Sequence, residues 1–182
     1  MLKSQDVLVI LQLLSAPVGE QTFPKLASAL GMSASEVHAA VKRAAASGLV
    51  DAKTRAVRRS ALLEFLVHGL RYVFPPEWVG VTRGVPTSFA ASPLASHFAS
   101  ADMPPVWPHP EGSVRGEGLT PLYRSAPAAA LRDPKLYEWL VLVDAIRAGR
   151  ARERQLAVKE LESRLRHEKA DRLLARGEYR GA

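Results

Sequence analysis

"FPKLASALGMSASEVHAAVKR", residues 23–43, decides how this chain is read. Pro24 suits a first helical turn and Gly31 a left-handed C-terminal cap, so the first half reads as a short helix ending at Gly31. Ser33, three residues before Glu36, forms a capping-box pattern that starts a second helix at once. That second helix is unusual in composition. It runs through alanines, and its large polar groups are His38, Lys42 and Arg43. A helix so poor in bulky apolar residues contributes little core, so its outward face calls for a purpose.

Spacing across the two helices supplies one. Ala27 precedes Gly31 by four residues and Val37 by ten, with Leu26, Leu30, Met32, Ala40 and Val41 as surrounding apolar contacts. Two helices locked at a steep angle need a small residue at their crossing, a glycine in the turn and an aliphatic anchor in the second helix. A leading helix from a Ser4 cap to about Ser15, with Val7, Leu8, Ile10, Leu11 and Leu14 apolar, would pack behind them.

On these residues the chain resembles winged helix-turn-helix transcription regulators of the MarR-like kind, over residues 3–74. The resemblance makes residues 34–46 a recognition helix and residues 49–58 a very short β-wing turning at Lys53, Thr54 and Arg55. It departs from the family in that wing, which has room for two or three residues per strand. Slimness then has a reason, because a helix lying in the DNA major groove must let a few side chains reach base edges. With Val37, Ala40, Val41 and Ala44 turned inward, Ser33, Ala34, Ser35, His38, Ala39 and Lys42 face outward. The serines and His38 can donate to base edges, and Ala34 or Ala39 can pack on a thymine methyl. Lys42 and Arg43 suit phosphates, and Lys53, Arg55, Arg58 and Arg59 form a basic run for the flanking backbone. The competing readings are a protein-docking helix-turn-helix, a merely solvated His38, and basic side chains that only decorate a surface.

Charge divides the rest of the 182 residues into three zones. Residues 1–74 and 128–182 each carry a net +4, whereas 75–127 carry −1 and hold ten of the thirteen prolines, giving +7 in all. The fold expected is mainly α: a winged helix-turn-helix domain (1–74), a Pro/Gly-rich, mostly irregular packed segment (75–132), and a C-terminal helical hairpin (133–182). In the middle segment Trp78, Phe89 and Leu94 are the expected anchors, and 102–118 the most exposed part. Asp133 and Pro134 start a helix that is apolar nearly all round, through Leu136, Trp139, Leu140, Leu142, Val143 and Ile146. Regulators of this type bind paired half-sites as two-fold dimers, so a homodimer face over 134–170 is expected, with burial against the middle segment as the alternative. Residues 147–155 carry four arginines against one acid. They read as a solvated helix face, with Glu160–Arg164 and Glu162–Arg166 as helical ion pairs beyond them.

No cysteine is present, which excludes disulfides and Cys-ligated zinc. The five histidines lack metal-ligand spacing, and no phosphate-cradling glycine loop, nucleophile elbow or paired carboxylates stand out. No enzyme activity, cofactor or metal is therefore expected. The apolar run at 7–14 is too short for a membrane span and continues into the helical motif, so a cytoplasmic protein is expected. The function expected is a sequence-specific double-stranded DNA-binding regulator, a repressor. The alternatives are an antitoxin-like regulator holding a protein partner through its C-terminal region, and a ligand sensor using Trp78 and Trp107.

Overall fold

The computed structural model describes residues 1–17 and 21–175, with side chains described as far as residue 166. Helix α1 (Ser4–Ser15) is buried on all sides from Asp6 to Ser15. Its cap lies one residue before the expected Ser4: the Asp6 carboxylate accepts the Lys3 N–H at 2.8 Å. Helix α2 (Phe23–Leu30) ends at Gly31, whose φ of 62° is left-handed. Helix α3 (Ala34–Ala46) starts on the reciprocal Ser33–Glu36 cap. After Gly48, Val50 and Val57 pair in a single antiparallel bridge. The chain then turns into α4 (Arg59–Glu64), a π-helical turn (Phe65–Gly69) and α5 (Leu70–Val73).

The middle segment is not mostly irregular. Strands β1 (Trp78–Pro86), β2 (Pro105–Pro108) and β3 (Val114–Leu119) form a closed three-stranded sheet in which each strand pairs with the other two. The β1 pairings are antiparallel and β2–β3 is parallel. So tight a closure needs backbones in near contact. A methyl group at Gly84 would strike the Trp107 carbonyl oxygen, and one at Gly116 the Pro104 carbonyl oxygen. The prolines fall at strand ends, Pro86 closing β1 and Pro105 and Pro108 bounding β2, where a missing N–H is tolerated. The expected anchors also change. Leu94 is buried, but Trp78 lies 44% exposed, and the anchoring aromatic is Trp107, 1% exposed in the stretch expected to be most open.

Helix α6 (Ala126–Arg132) leads into α7 (Pro134–Ala148) and α8 (Ala151–Ala175). Asp133 caps α7, accepting the Lys135 and Leu136 N–H groups at 3.0 Å each. Helices α7 and α8 form the expected hairpin. The apolar circumference of α7 is covered within the chain, by α1, α5, α6, α8 and the short helical turn at Ser88–Ala90. The reason for a dimer face there is thereby removed, and burial against the middle segment is part of the answer. One polar network fixes that packing. Asp144, 1% exposed on α7, accepts Trp107 Nε1–H at 2.6 Å, Thr87 Oγ1–H at 2.9 Å and Arg147 Nη1–H at 2.7 Å. Arg147 in turn donates to the Phe74 and Pro75 carbonyls, tying α5, β1, β2 and α7 together. Burial pushes the Asp144 carboxyl above its usual range, against the pull of Arg147 and its two other donors.

All three zones contribute to one continuous core. Among the described residues, no helix is long and apolar enough to cross a membrane.

Candidate nucleic-acid interface

Helix α3 is fixed from behind. Val37, Ala40 and Ala44 are fully buried and Val41 nearly so, packed with α1 and α2. Gly31 permits the abrupt change of direction between α2 and α3, because its left-handed φ would strain a residue carrying Cβ. Ala34, Ser35, His38 and Lys42 are exposed on the opposite face, and Ala39 is half-buried.

Ser33 is exposed but occupied. Its Oγ accepts the Glu36 N–H at 3.2 Å, donates to Glu36 Oε2 at 2.8 Å and lies 3.0 Å from Ser35 Oγ. The Ser33 donors hold the Glu36 carboxyl below its usual range, with a further push from Arg124. The first turn of α3 therefore presents a fixed carboxylate beside its serines.

The basic residues divide into two groups. Arg43 forms a bidentate ion pair with Asp6 of α1, with Nε–Oδ2 at 2.9 Å and Nη2–Oδ1 at 2.6 Å. Asp6 is fully buried and the Arg43 side chain only 23% exposed, so this guanidinium is committed to the fold. Arg59 donates to the Leu165 carbonyl of α8 at 3.4 Å. Arg55, at a φ of 60°, stacks 5.0 Å above the Phe23 ring and donates to the Gln21 carbonyl at 3.2 Å. His38 meets the same ring edge-on at 5.2 Å. Phe23 thus gathers the start of α2, the face of α3 and the turn after it.

Lys42, Lys53 and Arg58 remain on the surface. Arg58 is 56% exposed, its guanidinium 3.5 Å from Asp51. Asp51 organises the turn that presents Lys53, its Oδ1 accepting the Lys53 N–H, Thr54 N–H and Thr54 hydroxyl at 3.0, 2.8 and 2.9 Å. Those donors, led by Thr54, hold its carboxyl down at about 2.

Sequence reasoning missed Phe23 as the hub, Asp6 as the partner of Arg43, and Arg124. Asp6 had a weak signal, as a lone acid at the start of an apolar helix. Arg124 had none, since it reaches the start of α3 from a segment far along the chain. Among the described residues, no cluster of three His, Cys, Asp or Glu side chains is placed to hold a metal ion. No family model matches the chain, and no curated protein or solved structure matches it.

Proposed function

We propose that residues 1–74 form a winged helix-turn-helix that binds double-stranded DNA sequence-specifically, and that the protein represses transcription by occupying its site. The observation carrying this reading is the asymmetry of α3: its apolar side is clamped by α1 and α2, and its exposed side is slim. Ala34, Ser35, His38 and Ala39 face the bases, where small side chains allow close approach and the hydroxyl and imidazole read edges. The Glu36 carboxylate adds an acceptor suited to a cytosine amine. Lys42, Lys53, Arg58 and Arg124 meet phosphates on either side. Arg43, Arg55 and Arg59 hold the interface in shape. A two-fold dimer on paired half-sites would use a surface other than the covered α7.

Four phosphate contacts predict that log Kobs falls with log[salt] at a slope of about −3.6, against about −5.4 had all six basic residues of α3 and the turn been engaged. Anisotropy titrations on sites selected from random duplexes measure it. Lys42→Ala or Lys53→Ala should weaken every sequence and remove about one unit of slope, whereas Ser35→Ala and His38→Ala should change which sequences are preferred. Absence of binding at ~50 mM salt, where phosphate contacts are strongest, would end the proposal.

A further inference from the structure

Away from α3, a groove of about 780 Å³ opens between α8 and the π-helical turn with α5. One wall is a continuous stripe of α8 from Ala151 through Arg154, Val158 and Lys159 to Glu162. At 1.5 Å per residue that wall is about 16 Å long, or three helical turns. The other wall carries Val67, Arg71 and Tyr72. Its apolar lining comes from Val67, Val158 and the buried Ile146. Tyr72 stands 75% exposed on the rim with the Arg71 guanidinium 5.3 Å from its ring, and Val73 beside it is 52% exposed. Three cations, Arg71, Arg154 and Lys159, line the groove against the single acid Glu162; Arg154 also donates to the Gly149 carbonyl at 2.8 Å, so Arg71 and Lys159 are the cations on opposite walls.

A trough this long, open and two-walled has the shape that accepts an amphipathic helix, with apolar anchors at successive turns seated on the apolar lining. The cations on both walls select the charge of the flanks, since opposite charges across an interface favour a partner and like charges reject it. We propose that this groove docks an acidic amphipathic helix of a partner protein, about three turns long, with Glu or Asp flanking an aliphatic or aromatic stripe. The inference does not rest on DNA binding. One turn beyond Glu162, the same helix accepts Arg59 at Leu165, so the docked partner lies close to the 51–58 turn.

The test sorts a yeast-displayed library of three- to four-turn peptides against the full chain, with Glu, Lys or Ala varied at the flanks of a fixed Leu/Phe stripe. It is repeated against the Arg71→Glu, Lys159→Glu double variant. The expected result is enrichment of Glu-flanked peptides that bind the double variant at least about tenfold more weakly, ~1.4 kcal/mol. The single Lys159→Glu variant, at an exposed position, gives the same reading if the double variant melts early. Several outcomes would overturn the proposal. They are enrichment of Lys- or Ala-flanked peptides, equal binding to the variants, and equal binding of peptides with the stripe scrambled. A self-association of the chain that the charge reversals abolish would instead assign the groove to a second copy. Loss of DNA affinity in the variants, with no peptide selected, would assign it to phosphate.

Discussion

Replacing Arg43 by alanine separates a DNA contact from a structural brace, and the structure sets the size of the effect. Asp6 is fully buried, and two of its contacts come from the Arg43 guanidinium. Removing one partner of a buried ion pair costs 3–5 kcal/mol, because the other charge is left uncompensated. Arg43 is 23% exposed, so the loss belongs at the lower end, about 3 kcal/mol. For a chain of this length each kcal/mol lowers Tm by roughly 2–4 °C, which makes the expected drop about 6–12 °C. Thermal unfolding followed by circular dichroism reads it directly. Asp6→Asn should cost less, since the amide keeps one acceptor for the guanidinium and the bulk of the side chain. The Arg43→Met, Asp6→Leu double variant should recover much of the stability lost by either single change, giving a coupling energy of 0.5–3 kcal/mol typical of residues in contact. The salt slope of DNA binding supplies the independent check, and Arg43→Ala should leave it unchanged. A variant melting within about 2 °C of the parent while losing ~0.9 of slope would refute the reasoning, because Arg43 would then be a phosphate contact and the pair with Asp6 incidental.

Three further outcomes follow from the same packing. Asp144→Ala strands Arg147 in the core and should cost about 3–5 kcal/mol, read by thermal unfolding and by a change in Trp107 fluorescence; an unchanged Tm would mean that the network adds nothing. Asp51 should titrate with a midpoint near 2 by carboxyl NMR. Its folded value is depressed, so its support of the turn is present above the ordinary 3.8 and is lost as pH falls through about 2. A midpoint near 3.8 would show the turn to be unformed. Leu142→Ala, in the middle of α7, should cost about 2–5 kcal/mol and leave the mass in solution unchanged, whereas dissociation of a larger species would return α7 to an interface.

What the sequence carried was local. The Ser33–Glu36 cap, the Gly31 turn, the Asp133 cap and the inward set Val37, Ala40, Val41 and Ala44 depend on neighbours within one or two turns, and those patterns survive in the chain itself. The three-stranded sheet left no such mark. Its strands are bulged between Trp78 and Val81 and interrupted by Gly80, Gly84, Gly116 and Gly118, so apolar and polar residues do not alternate. Of the glycines that read as breakers, Gly84, Gly116 and Gly118 are there because another backbone passes against them, and Gly80 because the bulge takes a left-handed φ of 82°.

The basic residues show the same limit from the side of function. From sequence, Arg43, Arg55 and Arg59 look equivalent to Lys42, Lys53 and Arg58, six cations around one motif. What separates them is the position of an acceptor far along the chain: Asp6 in another helix, the Gln21 carbonyl and the Phe23 ring, the Leu165 carbonyl 106 residues away. The three braced residues are all arginines, and two of the three left on the surface are lysines. That division has a physical basis, because a planar guanidinium can pair in bidentate fashion, stack on a ring and serve a carbonyl, whereas an ammonium acts as a hydrated point charge. Exchanging the types tests the idea. Lys42→Arg should leave DNA affinity nearly intact, but Arg43→Lys should lose much of the stability that Arg43→Ala loses, since one ammonium cannot reproduce both contacts to Asp6.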